Sequence, residues 1–286
     1  EVNTLEKEIE AGNFDLSDKI SNTRTLLLSE DNKDRFSTKE AKIVALRIWN
    51  ITVKLNRLVP VVSESDKSTL RLLLIPTMRI LSVDIYQKYG ERNKDDDGHK
   101  LFYFLSYTYK SLLDIENLSL ADQYIDMAEK LYSQLQPSSD SALTFVHLKI
   151  WQAQYVITQE TNYDKALTIL KEFTNRYTII SSNLISFIYE KTVESKSIEW
   201  CKFCSSLANN TLAVSNEMKN QIESLLAQLY LINSKPEKAM KIISNLPKSI
   251  NKTFLDIKCK VLVSPNDPSL KEKLIREDSS LLLVNE

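Results

Sequence analysis

Apolar positions recur every three or four residues along most of this chain, and the pattern is cleanest in Met218–Pro247. There Ile222, Leu225, Leu226, Leu229 and Tyr230 fall on one face of a helix. Asn233-Ser234-Lys235-Pro236 reads as a short turn, with Pro236 at the first position of a second helix, where its missing N–H costs nothing. Ala239, Ile242, Ile243 and Leu246 form the apolar stripe of that helix, and Pro247 stops it. Neither helix buries its stripe alone, so the unit requires a neighbour on each side.

The unit repeats. Ala239 is a small residue early in a second helix, where two helices cross closely. Stepping back 38 residues reaches Cys201, 35 more reaches Ala166, and a longer step of 45 reaches Ala121. Each is small and each lies early in a predicted second helix, and Ile125 and Ala128 follow Ala121 at +4 and +7. A period near 34 identifies helix pairs of the tetratricopeptide type. The expected fold is all-α: a right-handed superhelical array of antiparallel helix pairs, a TPR-like α-solenoid. Its consensus Gly and Pro positions are mostly absent, and the extra length of the longest step lies in Gln136–Asp140.

Upstream, Leu16, Ile20, Thr23 and Leu27 line one stripe of a short helix within Glu1–Ser29, followed by a polar link, Glu30–Phe36. Ser37-Thr38-Lys39-Glu40 is a capping box that opens a helix to about Leu58, with Ile43, Leu46, Trp49 (or Asn50) and Val53 turned inward and Pro60 ending it. Glu64–Tyr89 is apolar nearly all round between Leu70 and Ile85, which predicts a buried helix kinked by Pro76. Gly90–Lys100 is the most polar stretch and reads as an exposed loop. The predicted organisation is therefore an N-terminal helical subdomain over 1–90, a polar loop over 91–98, and a helix-pair array over 99–286. Lys100–Glu116 pairs with Ser119–Leu135, Ala142–Glu160 with Tyr163–Asn175, and Ile179–Ser195 with Ser197–Asn209; Ile250–Val263 and a capping helix, Ser269–Val284, close the array.

Composition narrows the chemistry. The 286 residues contain three glycines and none follows Gly98, so the chain has no Walker loop, no GxGxxG and no GxSxG elbow. Glycine-poor sequence also disfavours a β-rich fold. Net charge is −1. Lys235–Arg276 carries ten Lys/Arg against four Asp/Glu, read as the solvated outer faces of the last helices. Only Phe254 interleaves with these lysines, so direct nucleic-acid binding is not expected. Three cysteines match a reducing compartment rather than a disulfide framework. No signal peptide or 18-residue apolar run is present, so a nuclear or cytosolic protein with no membrane contact is expected. The chain opens on Glu1 rather than Met, and a larger parent protein is expected.

No catalytic residue, cofactor site or metal site is assigned. Cys201-Lys202-Phe203-Cys204 places two sulfurs on one helix face but lacks a second ligand pair, which favours packing over zinc. His99 and His147 have no assignable partner, and Asp95-Asp96-Asp97-Gly98 lacks the alternating ligands of a calcium loop and reads as an exposed acidic loop. An all-α enzyme would need a clustered metal site or polar cavity that the sequence does not specify. The candidate partner-binding residues are Trp49, Trp151 and Trp200, as aromatic anchors; Asn50, beside Trp49; and Arg71 with Arg79, two forks on one side of an apolar helix suited to a partner carboxylate.

The helix Ala45–Leu55, with its Trp49-Asn50 core, followed by a long Leu-rich helix and then an alanine-spaced repeat, resembles the meiosis-specific tetratricopeptide scaffolds of the crossover and synapsis-initiation (ZMM) group. These are the fungal "zip four" proteins with their testis-expressed mammalian counterpart. The resemblance covers Lys39–Leu135, and the family's proteins are much longer than 286 residues. It implies a fragment of a non-enzymatic hub in the nucleus, on meiotic chromosomes, holding crossover-complex members including an XPF-like complex and synaptonemal central-region proteins. The alternative is an α-solenoid subunit of a constitutive cytosolic or nuclear complex.

Overall fold

The computed structural model describes residues 2–29, 37–89, 95–265, 267–270, 272–273 and 275–276. Among the described residues all regular secondary structure is helical, with no strand. The chain divides into two compact units, Glu1–Tyr155 and Val156–Glu286. In each, helices pack mainly on their sequence neighbours, the arrangement of an α-solenoid-like array.

The first unit contains α1 (Val2–Glu10), α2 (Ser17–Leu28), α3 (Thr38–Leu58), α4 (Glu64–Thr69), α5 (Ile75–Tyr89), α6 (Asp95–Asp114), α7 (Leu118–Tyr132) and the start of α8 (Ser139–Glu160). Leu16, Ile20, Thr23 and Leu27 are buried as their spacing predicts. Ser37 and Glu40 form the reciprocal capping box at the start of α3. The buried face of α3 differs from the expected one: Ala41, Ala45, Ile48, Thr52 and Leu55 are buried, whereas Ile43 is 48 % exposed. α5 packs against α3, and a face bearing two alanines lets the axes approach more closely than a face of larger side chains would.

Pro76 interrupts the next helix through its register. A π-helical turn, Leu70–Leu74, joins α4 to α5, and the Ile75 N–H bonds to the Leu70 carbonyl, five residues back. The wider turn accommodates the ring and the absent N–H of Pro76. Burial is confined to one side of this turn, since Leu72 and Leu73 are 56 % and 49 % exposed while Ile75, Met78, Leu81 and Ile85 are buried.

Of the expected polar loop over 91–98, residues 95–98 are helical and begin α6; residues 90–94, and the polar link over 30–36, lie outside the described residues. Asp97 is buried rather than part of an exposed acidic loop: Lys42 of α3 forms an ion pair with its carboxylate, and the Tyr86 hydroxyl of α5 donates to it at 2.8 Å. The division between units thus falls within α8, while the start of α6 is tied to both α3 and α5. α6 packs on α7, and Phe145 of α8 closes the layer against Phe102 and Tyr132.

The second unit continues from the end of α8 through α9 (Tyr163–Tyr177), α10 (Ser182–Ser195), α11 (Ile198–Asn209), α12 (Asn216–Ile232), α13 (Pro236–Asn245) and α14 (Ile250–Val263). Consecutive helices from α10 to α14 are in contact, and α14 also reaches α12. Of the expected capping helix Ser269–Val284, only short helical pieces up to residue 276 are described, and residues 277–286 lie outside the described residues.

The small-residue spacing has a structural counterpart. Ala121, Ala166, Cys201 and Ala239 are at most 1 % exposed. Five residues before each stands a left-handed residue: Glu116, Thr161, Lys196 and Ser234, with φ between 51° and 56°. The next residue caps the second helix. Asn117, Asn162 and Ser197 accept a backbone N–H through their side chains, and only Lys235 does not. At Glu116 and Ser234 the paired N–H bonds of a Schellman turn close the first helix.

These turns use none of the glycines such a position favours. Thr161 is the least suited, being β-branched and exposed. Thr161→Gly is expected to stabilise the chain by about 0.5–1 kcal/mol, relief of left-handed strain outweighing the added freedom of the unfolded state. Urea unfolding followed by circular dichroism measures it, and an unchanged midpoint contradicts it.

Candidate interaction surface

Three of the residues singled out from sequence meet in the first unit. On α6, Tyr103, Tyr107 and Ser111 are spaced four apart and form a stripe; on α8, His147 and Trp151 share the same spacing. Trp49 of α3 stacks on Phe104 of α6, with ring centroids 4.2 Å apart and planes 15° apart, and meets the edge of Tyr103 at 5.8 Å. Tyr103 contacts Tyr107 at 4.5 Å, Tyr107 contacts Trp151 at 5.2 Å, and His147 lies 6.0 Å from Trp151. The result is a continuous aromatic ladder from α3 across α6 to α8. Trp49 is its buried end, Tyr103 is 38 % exposed, and Tyr107, His147 and Trp151 are half-buried.

Arg79 of α5 underlies the ladder. Its guanidinium lies 5.3 Å from the Trp49 ring centroid and 5.9 Å from that of Tyr107. Its Nη1 donates to the Tyr107 carbonyl at 2.8 Å and to the Ser111 hydroxyl. The residue is 6 % exposed, and its Nε–H has no partner among the described residues. Burial pushes its pKa down to about 10, opposed by Tyr103, Asp114 and Tyr107, so it remains a cation at neutral pH. No carboxylate forms an ion pair with it among the described residues. Carbonyl, hydroxyl and π faces hold the charge instead, each cation–π contact contributing about 0.5–2 kcal/mol. Arg79 therefore fixes the rings from below rather than reaching out to a partner.

The remaining candidates lie elsewhere. Asn50 is exposed on α3 outside the ladder. Arg71 is exposed and does not share a face with buried Arg79, because it lies within the π turn, whose wider pitch rotates the register between them. Trp200 is no anchor: it is fully buried in the second unit, its Nε1–H donating to the Tyr163 carbonyl at 3.2 Å. Tyr103 and Tyr107 were legible in the sequence as an i, i+4 pair within an aromatic run, although the run also contains Phe102 and Phe104, which face the core.

Cys201 and Cys204 are both fully buried, their sulfurs 3.7 and 3.8 Å from the Ile222 and Ile185 carbonyls. Burial pushes the Cys204 thiol up to about 12 and raises that of Cys201 further, so both stay protonated donors linking α11 to α12 and α10. His99 falls within α6 rather than in a loop, half-buried, with no partner for Nδ1 among the described residues. Burial lowers the pKa of His147. Among the described residues no three His, Cys, Asp or Glu side chains are grouped to hold a metal ion, and no helix is long and apolar enough to cross a membrane. In the basic segment Lys235, Lys238, Lys241, Lys248 and Lys260 are exposed.

No family model, curated protein or solved structure matches this chain.

Proposed function

We propose that this chain is a non-enzymatic protein–protein interaction scaffold that docks a partner segment on the aromatic ladder of its first unit. The observation that carries the reading is the half-exposed run Tyr103–Tyr107–Trp151, held rigid by Trp49 and Arg79 from beneath. Aromatic side chains with locked rotamers supply contact area at little entropic cost, which is why Tyr and Trp dominate binding hot spots. Stacked helix pairs hold several such surfaces at fixed spacing, and co-tethering raises the effective concentration of partners.

The setting we propose is the one implied by the resemblance through Trp49-Asn50: a nuclear scaffold on meiotic chromosomes, assembling crossover-complex members and synaptonemal central-region proteins. Affinity purification with mass spectrometry of the tagged protein, wild type and Tyr103→Ala/Trp151→Ala, from meiotic and vegetative cells of its source, tests both levels. The expected result is recovery of crossover and synaptonemal proteins in meiosis alone, reduced about tenfold or more in the variant, as loss of two hot-spot side chains predicts. A constitutive assembly would discard the meiotic setting. Equal recovery by the folded variant would discard the ladder as a docking surface.

A further inference from the structure

Arg79 places under the aromatic ladder a charge that the fold does not cancel. The guanidinium is a cation at neutral pH and 6 % exposed, and its bonds go to a carbonyl and a hydroxyl, neither of which carries a charge. Of the carboxylates, Asp114 acts on it, but Asp114 stands at the surface in an ion pair with Lys110. Lys100, Tyr103, Tyr107, Lys110 and Asp114 follow one another along α6 at steps of three and four, on one stripe. Lys100 is exposed one turn before Tyr103 and forms no ion pair among the described residues. On α8 the ladder continues through His147 and Trp151, which bring no negative charge. The ladder is therefore an apolar surface with a positive bias, and its strongest source lies beneath the rings.

That placement decides which charge a partner brings. A row of Tyr and Trp ordinarily attracts cations, because ring faces are negative. Here Arg79 already lies over Trp49 and Tyr107, at 5.3 and 5.9 Å from the ring centroids, and a second cation meets repulsion instead. A partner group in contact with the far side of the Tyr107 ring, at about 3.5 Å, stands about 9 Å from the guanidinium. At the effective permittivity of a protein surface, a unit charge at about that distance changes affinity by about tenfold, in favour of a carboxylate and against an ammonium. Salt screens this less than it screens a surface pair, because the guanidinium is buried. A nucleic-acid strand fits less well. It needs open ring faces for its bases and several cations for its phosphates, whereas Tyr107 and Trp151 meet edge-on at 68° and Lys110 is already paired.

We propose that Arg79 sets the specificity of the ladder: the partner segment carries an aromatic or aliphatic anchor with a carboxylate beside it, and lysine- or arginine-rich segments are rejected. Arg79 acts through the rings that it supports, as a positioning residue, and its field supplies the charge complementarity. The inference rests on the ladder being the docking surface.

The test selects a random dodecamer peptide library on the full chain and counter-selects on Tyr103→Ala/Trp151→Ala, with folding of the variant checked by circular dichroism. The ladder-dependent peptides are expected to carry Asp or Glu within about two residues of an apolar anchor, since the field falls off over about a Debye length. By fluorescence anisotropy, changing that carboxylate to its amide should weaken binding about tenfold, and changing it to lysine about a hundredfold. Arg79→Met keeps most of the stem and removes the charge. A purely structural role would lower the affinity for acid and amide peptides by the same factor, whereas the specificity role abolishes the preference between them. Where Arg79→Met does not fold, the acid, amide and lysine series on the wild type decides. Ladder-dependent peptides without acidic residues, or an acid-to-amide preference that survives in folded Arg79→Met, overturn the proposal and leave the ladder intact as a docking surface. Absence of any ladder-dependent peptide removes the ladder and this inference together. Single-stranded oligothymidylate bound by the wild type and not by the ladder variant also overturns it, assigning the surface to nucleic acid.

Discussion

Trp200→Ala is expected to destabilise the second unit by about 4 kcal/mol, within the range for removing a buried large aromatic. The indole is fully buried at the start of α11 and meets the Tyr163 ring edge-on at 6.2 Å. Its N–H satisfies the Tyr163 carbonyl, the first residue of α9, so truncation empties a large volume and removes a bond between two second helices of the array. Trp200→Phe keeps most of the volume and is expected to cost about half as much, since it loses the hydrogen bond and only part of the ring. Urea unfolding monitored by circular dichroism measures both. A loss below about 1 kcal/mol for the alanine variant would contradict the packing role, and partner binding lost by a fully stable variant would return Trp200 to the list of anchors.

The array was legible wherever steric rules act locally. Ala121, Ala166, Cys201 and Ala239, spaced 45, 35 and 38 residues apart, are each buried early in the second helix of a pair, as their small size predicts. The left-handed conformation of residues 116, 161, 196 and 234 was not legible, even where the turn itself was read at Ser234, because the sequence places Glu, Thr, Lys and Ser where glycine would have marked it. On α3 the larger apolar residues drew the predicted face toward Ile43, whereas close approach by α5 buries Ala41 and Ala45. Arg71 and Arg79 looked equivalent on one side of a helix kinked at Pro76; the π turn before Pro76 separates them, leaving one in water and one under the ladder. Trp49 and Trp151 were identifiable as residue types, but their connection runs through Tyr103 and Tyr107 of α6, a tertiary relation that no spacing within one helix encodes.

Asp97→Ala is expected to cost the first unit about 3–5 kcal/mol, the range for removing one partner of a buried ion pair. The side chains of Lys42 and Asp97 are 17 % and 11 % exposed, and the Tyr86 hydroxyl that donates to the same carboxylate belongs to a residue 2 % exposed. Burial and the bond to Asp97 hold the Tyr86 phenol well above its ordinary pKa, so it remains a donor and needs an acceptor throughout the neutral range. Alanine therefore strands an ammonium from α3 and a hydroxyl from α5 together. Asp97→Asn retains an acceptor for Tyr86 while losing the charge, and should cost less than alanine. Replacing both ionic partners, Lys42→Met with Asp97→Leu, removes the stranded charge and should recover most of the loss, because well-packed apolar side chains often substitute for a buried pair without penalty. The resulting coupling energy, measured by urea unfolding across the double-mutant cycle, is expected to reach about 2 kcal/mol or more. Additive single-mutant effects would mean that the Lys42–Asp97 ion pair contributes nothing to holding the start of α6 against α3.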